Sequence, residues 1–134
     1  MKTKHIGIDF DNTIVLYDRL FYDYALQQGL IDKGTEKTKS AVRKALIKDQ
    51  KEETFTEIQG IVYGKLIDKA PIQNGITYGL RTLIQSGYKI SIVSHKTKYP
   101  ILGEKYDLHE SATNWLCKNG FFDEAIVGIK ENNV

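Results

Sequence analysis

The chain has 134 residues, a length that suits one domain with a modest core. Its net charge of +2 and its ordinary apolar and charged fractions give no case for disorder, or for nucleic acid or an anionic membrane as a partner. No apolar run is long enough to span a bilayer, and the single cysteine, Cys117, excludes an intramolecular disulfide. We therefore expect a cytoplasmic protein, and the sequence leaves its oligomeric state open.

The first predicted element is a strand over residues 4–10, because short stretches of apolar and β-branched residues are typical of buried strands. This stretch runs directly into an acidic cluster that contains Asp9, Asp11 and Asn12. Asp and Asn favour turns, so we expect the strand to end in a loop at these residues.

Residues 16–69, which we call the helical insertion, carry no strand pattern. Their apolar residues recur at helical spacing and predict three helices: one between about Leu20 and Gly29, one over residues 36–49 and one from about Thr54. By residue type, Thr54 is the expected N-cap of the third helix. Several aromatic side chains near the first of these helices either pack in a core or line a lid over a binding site. They are Tyr17, Phe21, Tyr22 and Tyr24.

Helices and strands alternate in the rest of the chain. The pattern predicts a helix that ends at Gly87, a strand over residues 88–93, a helix over 108–116 and a strand over 125–129. Strands that alternate with helices pair in parallel through right-handed crossovers. We therefore predict an α/β fold with a doubly wound, mostly parallel, Rossmann-like sheet and a small helical cap inserted after the first strand.

This organisation divides the chain into a Rossmann-like core, residues 1–15 and 70–134, and a cap, the helical insertion. Ligands of open parallel sheets bind beyond the carboxyl ends of the strands. Polar residues follow two such ends here, at residues 9–13 and 94–96. If the two strands are neighbours, both polar segments face one crevice.

The carboxylates of Asp9 and Asp11 are suited to phosphoryl transfer in such a crevice. Two close anions repel each other, so a cation is expected between them, and oxygen ligands suit Mg²⁺. A carboxylate beside Mg²⁺ can attack a phosphoryl group, and a second carboxyl group can protonate the leaving oxygen. The hydroxyl of Ser94 can bind a phosphate oxygen.

At these residues the sequence resembles the haloacid dehalogenase-like superfamily. Residues 6–14, IGIDFDNTI, are similar to its first motif, and residues 90–94, ISIVS, resemble its second. Residues 71–75, PIQNG, followed by a helix and by GYK at 87–89, match the usual approach to the second motif. The helical insertion occurs where the family places its cap.

The resemblance implies a role for each matched residue. Asp9 is implied as the nucleophile and a metal ligand. Asp11 is implied as the acid/base, with its backbone carbonyl on Mg²⁺. Thr13 would support the loop, and Ser94 would bind the transferring phosphoryl group. A carboxylate at position 11 favours a phosphatase over a dehalogenase, so we expect Mg²⁺-dependent hydrolysis of a small phosphorylated metabolite.

The family's third and fourth motifs are harder to find in this sequence. Residues 121–128, FFDEAIVG, resemble the approach to the third motif, and Lys130 is the candidate for its phosphate-neutralising lysine. No acidic pair that would make a fourth motif follows, so we expect a fragment rather than a degenerate member. His95 and Lys96 directly follow Ser94 and can also reach an anionic substrate.

Two other classes of function are kept open. The first is a non-catalytic or regulatory module that binds a phosphate-bearing partner in the same crevice. The second is a phosphoryl-accepting receiver of the response-regulator type. That class places its acidic pair and its acceptor aspartate on different strands, which the spacing of Asp9 and Asp11 fits poorly.

Overall fold

The computed structural model describes residues 4–121 and the two-residue strand 129–130. Over these residues the chain is an α/β protein with a small parallel sheet and five α-helices. The predicted α/β class and the parallel pairing are confirmed.

The sheet is built around strand β1, His5–Asp9, and strand β2, Lys89–Val93. They pair in parallel over their whole length, and Asp9 lies opposite Val93 at the carboxyl end. Strand β3, Ile129–Lys130, pairs with the other edge of β2, so the strand order is β1-β2-β3. Because the last residues of the two strands are paired, the residues that follow β1 and β2 leave the sheet at the same edge.

Helices fill the connections between these strands, and the helical insertion holds three of them. Two more helices flank β2 in sequence. The bounds are α1 Asp18–Gln27, α2 Lys39–Lys48, α3 Glu52–Gly64, α4 Ile76–Gln85 and α5 Leu108–Lys118, with a 3₁₀ turn at Leu66–Lys69 after α3.

The two ends of the helical insertion are tied together beside the sheet. The Leu16 N–H donates to the Pro71 carbonyl at 3.0 Å, and the Gln73 N–H donates to the Ile14 carbonyl at 2.9 Å. The chain therefore leaves and returns to the sheet layer at one place. This geometry allows a long insertion without displacing β1 from β2.

One continuous cluster of buried side chains joins the insertion to the sheet. On the sheet side, the Trp115 ring contacts Phe10 edge-on at 5.7 Å and stacks on Phe121 at 5.9 Å, and its N–H donates to the Ala70 carbonyl at 3.0 Å. Within the insertion, Phe21 is fully buried and stacks on Phe55 at 5.6 Å. The insertion is thus packed on the sheet layer through shared core contacts.

Two glycines of α3 allow the loop between β2 and α5 to pack directly on that helix. A Cβ atom at Gly60 would lie 2.7 Å from Pro100 Cβ, and one at Gly64 would collide with the ring of Tyr106. The Ser111 hydroxyl also donates to the Gly64 carbonyl at 2.8 Å. We call residues 94–107 the β2–α5 loop; its course depends on the absence of side chains at these two positions.

Some of the sequence expectations need adjustment. Helix α3 begins at Glu52, so Thr54 lies inside it and is not its cap. The strand predicted over 125–129 is seen only as Ile129–Lys130, and residues 122–128 lie outside the described part of the chain. Of the aromatic residues at the first helix, Tyr17, Phe21 and Tyr22 are buried and pack in the core. Over the described ranges, no helix has the length and apolar character needed to cross a membrane.

Candidate active site

The loop that follows β1 turns sharply immediately after Asp9. The Phe10 N–H extends the sheet by donating to the Val93 carbonyl at 2.9 Å, and the Phe10 carbonyl then accepts the Ile14 N–H at 3.0 Å. Asn12 adopts a left-handed conformation with φ 61°, which Asn tolerates better than most residues. Its side-chain oxygen accepts the Tyr17 N–H at 3.3 Å. This turn brings the side chains at 9, 11 and 13 to the carboxyl end of the sheet.

Asp9 is solvent-exposed at the end of β1. Its Oδ2 atom accepts a hydrogen bond from the Thr13 hydroxyl at 3.1 Å. Thr13 therefore contributes to the orientation of the Asp9 carboxylate, as expected for a residue that supports the loop. An exposed and oriented carboxylate is accessible to a ligand that approaches from the crevice.

Asp11 lies in a more enclosed position, with its side chain 24% exposed. Its Oδ2 atom accepts the Ser94 hydroxyl at 2.8 Å, which joins the loop after β1 to the residue after β2. Its Oδ1 atom accepts the Tyr17 hydroxyl at 2.6 Å and pairs with the Lys96 ammonium at 2.8 Å. Three donors, one from the helical insertion and two from the residues after β2, thus hold this carboxylate in place.

Lys96 is the cation of this site, and its side chain is only 6% exposed. Its ammonium donates to the Tyr17 hydroxyl at 3.1 Å and lies 4.9 Å from the ring centroids of both Phe10 and Tyr63. Burial lowers the pKa of Lys96, while the adjacent Asp11 carboxylate opposes that shift. Aromatic faces and one carboxylate therefore replace the water that the ammonium loses.

The backbone at Lys96 is held by helix α5. The His109 ring nitrogen Nε2 lies 3.1 Å from the Lys96 carbonyl, and since a carbonyl can only accept, His109 carries the proton there. This contact, together with the packing of the β2–α5 loop on α3, directs Lys96 inward. His95, its neighbour, is exposed.

Two tyrosines of the helical insertion complete the surroundings of Asp11. The ring centroids of Tyr17 and Tyr63 are 4.8 Å apart. Burial raises the pKa of both phenols, and the negative charge of Asp11 adds to each shift. Tyr17 is therefore a protonated phenol over the whole physiological range, as its hydrogen bond to Asp11 requires.

A cleft of about 210 Å³ opens beside Lys96, between α3 and the β2–α5 loop. Its walls combine apolar side chains with a few polar groups, as small-molecule sites commonly do. The lining residues that matter here are Gln59, Tyr63, His95, Lys96, Ile101 and Leu108. The cleft thus joins the helical insertion to the carboxyl edge of the sheet.

The structure brings four of the predicted site residues to one edge of the sheet: Asp9, Asp11, Thr13 and Ser94. His95 lines the cleft but has no contact with the two carboxylates among the hydrogen bonds and ion pairs of the described residues. The backbone of Lys130 lies opposite Ser91, and its side chain lies outside the described part of the chain. The predicted role of Lys130 stays a prediction.

Sequence reasoning did not find the contacts that Tyr17, Tyr63 and Lys96 make around Asp11. The sequence predicts only that Lys96 can reach an anionic substrate, and it places Tyr17 either in a lid or in a core. No spacing rule shows that a residue six positions after Asp11 turns its hydroxyl back onto it. The one available signal was the cluster of polar residues directly after β2.

The donor set at this edge can be tested for its fit to Mg²⁺. Residues 4–121 contain no group of three His, Cys, Asp or Glu side chains arranged around a metal position. They do offer the exposed Asp9 carboxylate and the Asp11 backbone carbonyl, which no donor reaches among the described backbone hydrogen bonds. Mg²⁺ commonly keeps several waters and takes one or two carboxylates plus substrate phosphate oxygens, so these two oxygens fit it.

A scan against protein-family models gives no match to this chain, and searches of curated proteins and of solved structures give none either.

Proposed function

We propose that this chain is a Mg²⁺-dependent phosphomonoesterase core of the haloacid dehalogenase-like type, with a doubly wound Rossmann-like sheet and the helical insertion as its cap. The observation that carries the proposal is the 2.8 Å hydrogen bond from Ser94 to Asp11. It joins the residues that follow β1 and β2, which are the segments that resemble the family's first two motifs. The proposal includes a cytoplasmic location and a small phosphorylated metabolite as the substrate.

The proposed chemistry begins with Asp9. Its exposed carboxylate attacks the phosphorus atom, a bond forms between the carboxylate oxygen and phosphorus, and the ester oxygen leaves as an alcohol. Asp11 is ionised in its pair with Lys96, so its partly exposed carboxylate first takes up a proton from solvent and then gives it to the leaving oxygen. Asp11 later accepts a proton from the water that cleaves the aspartyl-phosphate. Thr13 keeps the Asp9 carboxylate oriented during attack.

Mg²⁺, held by the Asp9 carboxylate and the Asp11 backbone carbonyl, would neutralise charge on the phosphoryl oxygens. Ser94 donates a hydrogen bond in the same region, and Lys96 adds a buried positive charge beside Asp11. These donors are fixed before substrate arrives, which is the arrangement that favours transition-state stabilisation.

The test is phosphate release from a panel of phosphomonoesters by the full chain, in Mg²⁺ and in EDTA. We expect release that requires Mg²⁺ and is lost in Asp9→Asn. The matched control is Asp23→Asn, because Asp23 is an exposed carboxylate on α1 that pairs with Arg19, away from the site. Absence of release in Mg²⁺, or equal release by Asp9→Asn, would refute the proposed activity.

A second candidate is a non-catalytic module that binds a phosphate-bearing partner. The observation in its favour is that three donors already occupy Asp11, which leaves its carboxylate less available for proton transfer. In that case phosphate binding persists in Asp9→Asn and no variant or substrate yields turnover. Measuring binding and release on the same protein samples separates the two functions.

A further inference from the structure

Lys39, the first residue of α2, is a half-buried cation near the candidate site. Its ammonium donates to the Tyr63 hydroxyl at 2.7 Å. It lies 5.5 Å from the ring centroid of Phe21 and 5.4 Å from that of Tyr63. Lys39 and Lys96 therefore flank the same Tyr63 ring, one from the helical insertion and one from the β2–α5 loop.

The charge of Lys39 has no carboxylate partner within ion-pair distance among the described residues. Other carboxylates have partners of their own: Asp23 pairs with Arg19, and Asp11 pairs with Lys96. Asp18 is nearby, but its carboxylate accepts the backbone N–H of Lys39, at 2.9 Å. Asp11 already has the ammonium of Lys96. The positive charge of Lys39 is thus balanced only by aromatic faces, a phenol oxygen and more distant acids.

Burying an ammonium without a carboxylate is unfavourable, and burial accordingly lowers the pKa of Lys39, against the opposing effect of Asp11. A cation held in this way next to a site is a candidate for ligand binding. Its position also specifies which part of a ligand it meets. Lys39 is close enough to Asp11 for that carboxylate to oppose the lowering of its pKa, and Tyr63, its hydrogen-bond partner, lines the cleft.

We propose that Lys39 binds a second anionic group, carried by the leaving group of the substrate. This inference rests on the proposed phosphatase function, in which Asp11 gives its proton to the leaving oxygen. It names the substrate class as phosphomonoesters whose alcohol part also bears a carboxylate or a second phosphate. Lys39 acts on the alcohol part, whereas Asp9, Ser94 and Mg²⁺ act on the transferred phosphoryl group.

The first test compares kcat/KM for two matched pairs of substrates in Mg²⁺. One pair is phosphoglycolate and ethyl phosphate; the other is propane-1,3-diol bisphosphate and propyl phosphate. In at least one pair, we expect the substrate with an anionic group on its alcohol part to be preferred about tenfold or more in kcat/KM. A charged contact commonly contributes this much. The pair that shows the preference identifies the second group as a carboxylate or a phosphate.

The variants assign that preference to Lys39. In Lys39→Met we expect kcat/KM for the preferred substrate to fall about tenfold. For the partner substrate, whose alcohol part is uncharged, kcat/KM should change less than twofold, and Lys39→Arg should keep the preference. Lys44→Met is the control, because Lys44 is exposed on the same helix. An equal fall for both members of a pair, or no preference in the wild type, would overturn the inference.

A binding measurement separates failure of this inference from failure of the phosphatase proposal. Phosphoglycolate and ethyl phosphate are titrated calorimetrically into wild-type protein and Lys39→Met, with Ca²⁺ in place of Mg²⁺. Tighter binding of phosphoglycolate that is lost in Lys39→Met supports the subsite even if no turnover is found. Equal binding of the two probes, or no binding of either, would overturn the subsite even if turnover is found.

Thermal unfolding of Lys39→Met tests whether Lys39 has a purely structural role. Since burial of the ammonium is unfavourable, we expect the Tm of this variant to equal or exceed that of the wild type. A lower Tm together with equal losses on all substrates would show that Lys39 only supports Tyr63, contrary to the proposal.

Discussion

Asp9 and Asp11 are two residues apart in the sequence, yet they occupy different environments. Asp9 is exposed and is oriented by the Thr13 hydroxyl, whereas Asp11 is enclosed and receives donors from Ser94, Tyr17 and Lys96. Asp9 is the last residue of β1, whereas Asp11 lies in the turn that follows it, so the two side chains meet different neighbours. The difference matches a division of labour, in which one carboxylate meets the ligand and the other is held in a fixed network.

The largest effects are expected when each of the two carboxylates is replaced by Asn. Asp9→Asn should reduce turnover at least about a thousandfold and leave the unfolding free energy almost unchanged, because the side chain is exposed. Asp11→Asn should also reduce turnover and in addition lower the unfolding free energy by about 2 kcal/mol, because Lys96 loses its carboxylate. Urea unfolding of both variants checks this, and equal stability losses would contradict the proposed difference.

The next effect concerns the ion pair itself. Lys96→Met should lower the unfolding free energy by about 1–2 kcal/mol, less than for a fully buried pair because Asp11 is partly exposed. We also expect turnover to fall by about tenfold to a hundredfold, since a fixed positive charge is lost beside the phosphoryl site. A double-mutant cycle with Asp11→Asn measures the coupling, and additive losses would show that the pair does not act as a unit.

A smaller effect is expected at Tyr17. Tyr17→Phe removes one donor to Asp11 and should lower the unfolding free energy by about 1 kcal/mol. Because the pKa of Tyr17 is raised in the folded state, only the unfolded chain loses this proton as the pH passes about 10. Stability from Tyr17 is therefore present below pH 10 and is lost above it. Urea midpoints should fall less steeply above pH 10 in Tyr17→Phe than in the wild type; identical slopes would contradict the assignment.

The smallest effect is expected at Thr13, which orients the exposed carboxylate of Asp9. Thr13→Val removes the hydroxyl that orients Asp9 and should lower turnover by about threefold to tenfold. We expect a change in the unfolding free energy of less than about 0.5 kcal/mol, because the bond is exposed. Thr13→Ser, which keeps the hydroxyl, serves as the control. A loss as large as that of Asp9→Asn would show that Thr13 has another role.

Much of this fold could be predicted because its signals are local. The apolar stretch before Asp9, the helical spacing between residues 16 and 69 and the stretch that ends at Ser94 each identify their own element. Parallel pairing follows from the alternation of strands and helices. The neighbouring polar residues at the two strand ends then lie at one sheet edge, and this is why Asp9, Asp11 and Ser94 could be grouped from the sequence.

The remaining parts of the site depend on tertiary contacts that no local pattern encodes. His95 and Lys96 are adjacent, and which of them turns inward is decided by His109 and by the course of the β2–α5 loop over α3. Thr54 is a reasonable helix cap by residue type, yet α3 begins two residues earlier, at Glu52. Choices of this kind are made by packing, which long-range neighbours determine.

The glycines of α3 have a consequence for the way this molecule opens. A glycine inside a helix is less favourable than alanine by about 1 kcal/mol, so α3 carries a weak point at Gly60, and it ends at a second glycine, Gly64. Both are covered by the β2–α5 loop, at Pro100 and Tyr106. Detachment of the loop would expose the weakest turns of the helix, so the two segments should exchange their amide hydrogens as one cooperative unit. The same opening would carry Lys96 away from Asp11, which couples local unfolding of α3 to the integrity of the site.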